Sequence, residues 1–260
     1  MNFFDYQKNI MFAEDVAIPD LAEEVGTPFY CYSTAALKMH FKKFSEALSG
    51  LNFGVYFSVK SNSNIAVIKT LAEEGAGADV VSEGEMRRAL SAQIPGRKIV
   101  FSGVGKTPEE IKFALLNDIF QINVESYEEL KTIEKVAAAV NKKAPISIRI
   151  NPDIDAKTHM KISTGTKENK FGISWDRALS LFDVINTYKH IQVNGLAVHI
   201  GSQLIDLDPF KKTFDFLAEG VKTLINKGTN IKTLDLGGGL GVTYSNEKQP
   251  SMDDYAKIVK

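Results

Sequence analysis

The chain has 260 residues, a formal net charge of -1, no long run of like charge and one cysteine, Cys31. The charge balance argues against nucleic acid or an anionic membrane as a partner, and one cysteine excludes an internal disulfide and gives no metal cluster. No apolar run is long enough to span a membrane, and the N-terminus lacks a signal-peptide pattern, so we expect a cytoplasmic protein.

The first part of the chain, residues 1–33, is expected to be an irregular lead-in that ends in a strand. A short helix should run from Asp20 and stop at Gly26, because glycine favours a helix end. Residues 28–32 should follow as a strand. We assign the remaining residues, 34–260, to one larger unit.

Residues 52–62 predict a strand that closes on a lysine, Lys60. Side chains alternate along a strand, which places Lys60 on the face of Ser58 and opposite to Val59. Holding an ammonium out of water costs several kcal/mol, so Lys60 either reaches solvent or loses its proton. A neutral lysine amine is what Schiff-base chemistry needs. Most strand-end lysines simply reach solvent, and this stretch alone leaves both interpretations open.

Strand-like runs and helix-start signals then alternate along the chain. Capping sequences begin at Ser82, Thr107 and Ser126, each with a glutamate three residues later. Such an alternation predicts an α/β protein with a parallel sheet. The strand-like runs after the Lys60 strand are residues 78–82, 98–102, 119–124, 145–150, 193–200 and 232–236.

Two architectures compete for this pattern, an open doubly wound sheet and a (β/α)8 barrel. The open sheet predicts strands that are apolar on both faces. Here Ile148 and Leu196 belong to apolar faces, whereas Ser147, Arg149 and His199 take the alternating positions. Apolar residues outward and small or polar residues inward suit a barrel whose upper interior holds a site, so we predict the barrel.

Three motifs with chemical potential fall at the predicted strand ends. Lys60 ends the first strand, His199 and Ser202 follow the sixth, and three glycines at 237–239 follow the seventh. Active sites of such barrels lie at the carboxyl ends of the strands, commonly with a phosphate site after the last two. Glycines let backbone N–H groups approach a phosphate closely. The combination predicts a site for a phosphorylated aldehyde cofactor, pyridoxal phosphate, held by Lys60.

Each motif alone also has a structural explanation. His199 by itself is more often a core histidine than a catalytic one, and a triple glycine is often only a turn. Arg149 could be half of a buried ion pair with Asp79 as its partner, or Asp79 could cap a helix. No histidine or carboxylate cluster has the spacing of metal ligands, which disfavours a metal-dependent aldolase.

Several stretches together resemble the fold-III pyridoxal-phosphate decarboxylases. They are YFSVKSN at 56–62, GADVVS at 77–82, HIGS at 199–202 and GGGLG at 237–241. Three more look like the members of this family that act on diaminopimelate, namely NPDIDAKTH at 151–159, ISTG at 162–165 and KENKFGI at 167–173. The similarity runs from about Pro28 to the C-terminus. It implies an incomplete TIM-like (β/α)8 barrel of the alanine-racemase type, with about seven barrel strands.

The resemblance implies a role for each candidate site residue. Lys60 would bind the cofactor covalently through its amine, His199 would stack against the cofactor ring, and Asp79 and Arg149 match positions near the cofactor. The phosphate would be held by Ser202 and by the backbone of Gly237, Gly238 and Gly239. The implied reaction removes the α-carboxylate at the D-centre of meso-diaminopimelate and gives L-lysine and CO2, the last step of lysine biosynthesis, without a metal ion.

The resemblance also implies parts that this sequence lacks, because members of the family are much longer. Missing are an eighth barrel strand, a glutamate that pairs with the pyridinium nitrogen, a C-terminal β-domain and a cysteine supplied by a partner subunit. Cys31 does not match that cysteine. An incomplete barrel leaves unpaired strand edges. We therefore expect a truncated chain that is inactive by itself, from a family whose members are homodimers.

Two other functions stay open at this point. Decarboxylation of arginine or ornithine would keep the Lys60 chemistry, although residues 151–159 and 162–173 argue against it. A non-catalytic binding or regulatory protein could keep the barrel and lose the activity. Absorbance after addition of pyridoxal phosphate, with and without Lys60, would separate a cofactor site from this second alternative.

Overall fold

The computed structural model describes residues 3–154 and 171–260. Its N-terminal part differs from the predicted irregular lead-in, because it folds into a small antiparallel sheet followed by a helix. These elements are β1 (Phe4–Gln7), β2 (Ile10–Ala13), β3 (Val16–Ala17) and α1 (Ile18–Val25). As predicted, α1 ends at Gly26, but it begins before Asp20 because Pro19 occupies its first turn.

The strand predicted at residues 28–32 is wrong. These residues form no regular secondary structure, and Tyr30 is 89% exposed. Aromatic residues favour a strand only where a neighbouring strand offers partners, and no described strand pairs with this stretch. Glu14 instead ties the small sheet to the next helix, since its carboxylate accepts hydrogen bonds from the Ser33 hydroxyl at 2.7 Å and the Ala35 N–H at 2.9 Å.

The rest of the chain forms one parallel sheet surrounded by helices. Its strands are β4 (Tyr56–Ser58), β5 (Gly77–Val80), β6 (Ile99–Phe101), β7 (Gln121–Val124), β8 (Ala144–Asn151), β9 (Ile173–Ser174), β10 (Ile191–Ala197) and β11 (Thr233–Asp235). The order is β11-β10-β8-β7-β6-β5-β4, and the short β9 pairs only with β8. The seven main strands thus keep their chain order, whereas a doubly wound sheet reverses direction at a switch point.

Polar contacts across the interior show that this sheet curls into an incomplete barrel. The side chain of Asn123 on β7 donates to Asp235 on β11 at 2.8 Å, and Thr233 on β11 donates to Gln121 on β7 at 3.0 Å. Because β8 and β10 lie between β7 and β11 in the sheet, these bonds span the interior. The barrel prediction is therefore confirmed, with β4 and β11 as the two edges.

Helices cover the outside of the barrel. They are α2 (Thr34–Ala47), α3 (Ile65–Glu73), α4 (Glu83–Ser91), α5 (Pro108–Leu116), α6 (Tyr127–Ala139), α7 (Trp175–Ile185), α8 (Asp208–Asn226) and α9 (Met252–Val259). Tyr255 on α9 packs its ring 5.9 Å from that of Phe44 on α2 and 5.2 Å from that of Phe210 on α8. Helix α9 therefore joins the helix before β4 to the helix after β10. No helix of the described ranges is long and apolar enough to cross a membrane.

The two faces of the strands separate as predicted. Ile146, Ile148 and Leu196 are fully buried in the main apolar cluster shared with the helices, whereas Ser147 and Arg149 alternate with them on the inner face. Burying such aliphatic side chains contributes about 1.5–3 kcal/mol each. The outer faces hold the fold together, and the inner faces are left for polar side chains.

Three serine or threonine residues begin helices as predicted, but only one forms a complete capping box. Thr107 and Glu110 exchange both hydrogen bonds at the start of α5. Ser82 and Ser126 each accept a backbone N–H at the starts of α4 and α6. Glu85 and Glu129 instead accept the backbone N–H of the residue before each cap, Val81 and Glu125. These hydrogen bonds hold the strand-to-helix loops.

Candidate active site

Lys60 lies at the carboxyl end of the barrel, in a short 3-10 turn (Val59–Ser61) directly after β4. The strand was predicted to close on Lys60, but it ends at Ser58, whose carbonyl accepts the Ser61 hydroxyl at 2.7 Å, so Lys60 lies in the turn that follows. Lys60 is exposed, which agrees with the first of the two interpretations left open by the sequence, a lysine that reaches solvent. Its positive charge lowers the pKa of both Asp79 and His199, so the amine lies within electrostatic reach of both groups.

Asp79 on β5 is a partly buried carboxyl inside the barrel. It accepts hydrogen bonds from the Ser102 hydroxyl at 2.6 Å and the Ser58 hydroxyl at 3.2 Å. Burial raises its pKa to about 6, the nearby Asp235 charge adds to this, and the two hydroxyls and Lys60 oppose it. Asp79 can therefore take up or release a proton close to neutral pH.

His199 follows β10 and presents a neutral imidazole. Burial lowers its pKa to about 3, and the positive charges of Arg149 and Lys60 act in the same direction. The N–H of Gly238 donates to Nδ1 at 3.4 Å, which favours the tautomer with its proton on Nε2. An uncharged ring beside the rim lysine is suited to stacking against a flat ligand.

Arg149 on β8 forms a buried ion pair, but with Glu125 rather than with Asp79. The Nη1–Oε1 distance is 2.6 Å, and Glu125 also accepts the Gly172 N–H at 2.9 Å. Nη2 of Arg149 reaches the carbonyl of His199 at 3.5 Å. The sequence suggests an ion pair for Arg149 with Asp79, not with Glu125. The signal for Glu125 was an acidic residue directly after β7.

The glycine loop after β11 packs tightly against the loop after β10. Gly237 and Gly239 have positive φ values of 69° and 104°, and a Cβ on Gly239 would clash with the carbonyl of Gly201. The Leu204 N–H donates to the Gly239 carbonyl at 2.8 Å. A Cβ on Gly238 would instead meet open space. Glycines at 237 and 239 are thus required by backbone shape and close packing.

The three glycines are not equivalent as donors to a phosphate. The Gly237 N–H already donates to Asp235 Oδ1 at 2.9 Å, and the Gly238 N–H points at His199. Within residues 3–154 and 171–260, neither the Gly239 N–H nor the Ser202 hydroxyl has a hydrogen-bond partner. A backbone donor and an exposed hydroxyl on adjacent loops fit a phosphate group, and Gly239 is the better backbone donor of the predicted set.

Lys106 is a second lysine at the same end of the barrel, in the loop between β6 and α5. Its side chain is 1% exposed, and Nζ donates to the carbonyls of Gly103 at 2.6 Å and Asn123 at 2.8 Å. The third donor position meets Glu129 Oε1 at 2.7 Å. All three protons of this ammonium are used, so Lys106 cannot offer a free amine.

A group of polar residues that face the barrel interior was not identified from the sequence. Each stands next to an apolar residue on or just after a strand, and this alternation was the signal that could have found them. They are Ser58, Ser102, Asn123 and Asp235. Most of the stretches that suggested a diaminopimelate-type enzyme, residues 155–170, lie outside the described residues.

A cavity of about 830 Å³ is separate from this group. Its walls come from the ends of β7 and β8 and from α7 and α8, and include Glu125, Asn151, Trp175 and Phe216. Lys60, Asp79 and His199 do not line it. We place the candidate site at the latter three residues because their chemistry converges there. Among the described residues, no group of three or more acidic, histidine or cysteine side chains could hold a metal ion.

Comparison with known proteins shows which family this chain belongs to. Residues 34–260 match the family model described as the pyridoxal-binding domain of pyridoxal-dependent decarboxylases. The chain is 48% identical to the diaminopimelate decarboxylase of Haemophilus influenzae, over 100% of this chain and 62% of the relative, and 46% identical to that of Pseudomonas aeruginosa, over 100% and 63%. The chain thus spans about 62% of the length of the curated relatives it matches.

Solved structures give the same picture. Diaminopimelate decarboxylase from Helicobacter pylori in complex with L-lysine has a TM-score of 0.90 at 44% identity, covering 93% of this chain and 61% of that chain. The enzyme from M. jannaschii in co-complex with L-lysine has a TM-score of 0.92 at 35% identity, covering 99% and 62%. The lysine/ornithine decarboxylase of Vibrio vulnificus shares 20% identity and supports the fold alone.

Proposed function

The chain belongs to the pyridoxal-dependent decarboxylases, and on that premise we propose that the protein converts meso-diaminopimelate to L-lysine and CO2. The observation that carries the proposal is an amine without a hydrogen-bond partner among the described residues, that of Lys60, within electrostatic reach of a neutral His199 and a partly buried Asp79. Identities of 43–48% to diaminopimelate decarboxylases favour this substrate over other amino acids.

Pyridoxal phosphate, the cofactor of this family, supplies when bound an aldehyde for the substrate amine and a conjugated ring that takes up the electrons left by CO2. The residues present fit such a group, because donors for a phosphate lie on the loops after β10 and β11. Ser202 and the Gly239 N–H would hold the phosphate. Gly237 and Gly238 would shape the loop, since their N–H groups face Asp235 and His199.

The side chains around the ring position would divide the remaining work. Lys60 Nζ would hold the cofactor covalently and would be released when the substrate amine takes its place. His199 would stack against the ring and stay uncharged, because Arg149 and Lys60 disfavour its protonation. Asp79 would exchange protons near the ring. Glu125 would keep Arg149 in place.

We also propose a cytoplasmic location, a homodimer, and a division into residues 1–33 and a cofactor-binding unit of residues 34–260. The division is supported by the family match over the same residues. Location and assembly are supported by the resemblance alone. Sedimentation equilibrium of the purified protein tests the dimer, and a monomer at all concentrations would contradict it.

An absorbance titration tests the function. Adding pyridoxal phosphate to the protein should produce a Schiff-base band that Lys60→Ala and Lys60→Arg abolish, because arginine keeps its proton at neutral pH. The protein encoded by the gene should then release CO2 from meso-diaminopimelate. Release from arginine or ornithine instead would assign a different substrate. A missing band in the wild-type protein would favour a non-catalytic barrel.

A further inference from the structure

A continuous chain of hydrogen bonds crosses the barrel interior from Asp79 to the glycine loop. The Ser102 hydroxyl donates to Asp79 Oδ1 at 2.6 Å, and Asn123 Nδ2 donates to that hydroxyl at 3.1 Å. The same Nδ2 group donates to Asp235 Oδ2 at 2.8 Å. Asp235 Oδ1 finally accepts the N–H of Gly237 at 2.9 Å. We call these five residues the cross-barrel chain.

The direction of these bonds is fixed by a neighbour. Asn123 Oδ1 accepts the Gln121 side-chain amide at 2.8 Å, which orients the Asn123 amide group so that Nδ2 faces both Ser102 and Asp235. Gln121 in turn accepts the Thr233 hydroxyl at 3.0 Å, so β7 and β11 are joined twice. Asn123 is therefore the side chain that donates to Asp235 from the opposite wall of the barrel, and the orientation of its amide group is fixed.

Asp235 acts directly on the start of the glycine loop. Gly237 has a left-handed φ of 69°, and its backbone N–H turns back to the Asp235 carboxylate two residues earlier. This bond fixes the direction in which the chain leaves β11, and hence where the Gly239 N–H lies. Position matters here because a hydrogen bond to a phosphate weakens steeply when its donor is misaligned.

We propose that Asp235 is a positioning residue for the cofactor phosphate and that Asn123 supports it from across the barrel. The inference rests on the proposed function, since it assigns a task within the same site. Asp235 touches neither the ring nor the substrate in this proposal. It holds the loop that offers the Gly239 N–H, and the cross-barrel chain connects this loop to Asp79.

The test compares two ligands that differ only in the phosphate, pyridoxal phosphate and pyridoxal. In Asp235→Ala, both hydrogen bonds of the carboxylate are lost. We expect the dissociation constant for pyridoxal phosphate to rise about tenfold to 100-fold, and that for pyridoxal to change by less than about threefold. Absorbance of the Schiff-base band at equilibrium gives both constants in the otherwise unmodified protein.

Glu134→Ala is the matched control. Glu134 also accepts a backbone N–H from another element, that of His190 at 2.9 Å, but it does so at the opposite end of the barrel. The control should leave the ratio of the two dissociation constants unchanged. Equal weakening of both ligands in Asp235→Ala, or no weakening of either, would overturn the proposal.

Asn123→Ser covers the case in which Asp235→Ala does not fold, as judged by circular dichroism. It removes the side-chain donor to Asp235 but keeps the carboxylate, so the ratio of the dissociation constant for pyridoxal phosphate to that for pyridoxal should rise as in Asp235→Ala, but by a smaller factor. An unchanged ratio in a folded Asn123→Ser protein would then decide against the proposal. A wild-type protein that forms no Schiff-base band would refute the proposed function first, which is a different result from an unchanged ratio.

Discussion

The turn after β4 and the loop after β6 each place a lysine at the same end of the barrel, and the two lysines have opposite surroundings. Lys106 is buried and donates to two carbonyls and a carboxylate. Lys60 is exposed, and in the described parts of the chain its amine has no hydrogen-bond partner. A lysine whose donors are all used stabilises the fold. A lysine with free donors near a partly buried carboxyl and an imidazole is available for chemistry.

The largest expected effects come from replacing each of the two lysines, Lys106 and Lys60, by methionine. Lys106→Met leaves Glu129 buried without its cation and should lower the free energy of unfolding by about 3–5 kcal/mol. The folded variant should still form the Schiff-base band. Lys60→Met should lose the band and change the unfolding free energy by less than about 0.5 kcal/mol.

Urea unfolding and absorbance of both variants measure the two effects separately. A Lys106→Met protein of unchanged stability would mean that the three hydrogen bonds of Lys106 do not hold the loop. Loss of the Schiff-base band in folded Lys106→Met would mean that Lys106 also takes part in binding the cofactor, rather than only stabilising the fold.

Asp79 and His199 should make the stability of the protein depend on pH in opposite directions. The pKa of Asp79 is raised from its usual 3.8 to about 6, so its contribution to stability is complete below pH 3.8 and lost as pH rises through 6. The loss amounts to about 3 kcal/mol. The pKa of His199 is lowered to about 3, so its contribution is complete above pH 6.5 and lost as pH falls towards 3.

Single substitutions should separate these two dependences of stability on pH in the cofactor-free protein. Asp79→Asn should show stability that rises with pH between 4 and 6, because Asp79 no longer opposes the effect of His199. His199→Gln should show stability that falls over the same window. Lys60→Met should move the Asp79 transition to higher pH, since the Lys60 charge lowers the pKa of Asp79. Parallel pH profiles for wild type and Asp79→Asn would contradict the assignment.

The strand faces and the order of the barrel could be predicted from the sequence because they depend on local alternation. Ser147 and Arg149 between isoleucines mark an inner face without any knowledge of the neighbours. The same logic placed Lys60, His199 and the glycine loop at one end. Parallel strands bring their carboxyl ends together whatever their side chains are.

The partners inside the barrel could not be predicted in this way. Alternation shows that Asn123 and Asp235 face inward, but not that they meet across 112 residues of sequence. For Arg149 the sequence suggested Asp79 as the acidic partner, whereas the folded chain pairs it with Glu125. The end of the first strand was also not predicted, because side-chain alternation does not show that the strand ends at Ser58 and continues as a 3-10 turn.

The smallest expected effects come from two serines, one without a hydrogen-bond partner in the described ranges and one that stabilises a helix. Ser202 is exposed and has no partner in the described ranges, whereas Ser126 caps α6 by accepting the Glu129 N–H at 3.1 Å. Ser202→Ala should weaken the binding of pyridoxal phosphate by about 1–2 kcal/mol and leave stability unchanged. Ser126→Ala should lower stability by about 1 kcal/mol and leave cofactor affinity unchanged.

Cofactor titration and urea unfolding of both serine variants complete the comparison. We expect each substitution to change only one of the two measured free energies: Ser202→Ala that of cofactor binding, and Ser126→Ala that of unfolding. A loss of cofactor affinity in Ser126→Ala as large as in Ser202→Ala would show that the α6 cap also shapes the site. Unchanged affinity in Ser202→Ala would remove Ser202 from the phosphate site and leave the Gly239 N–H as the donor on which that site depends.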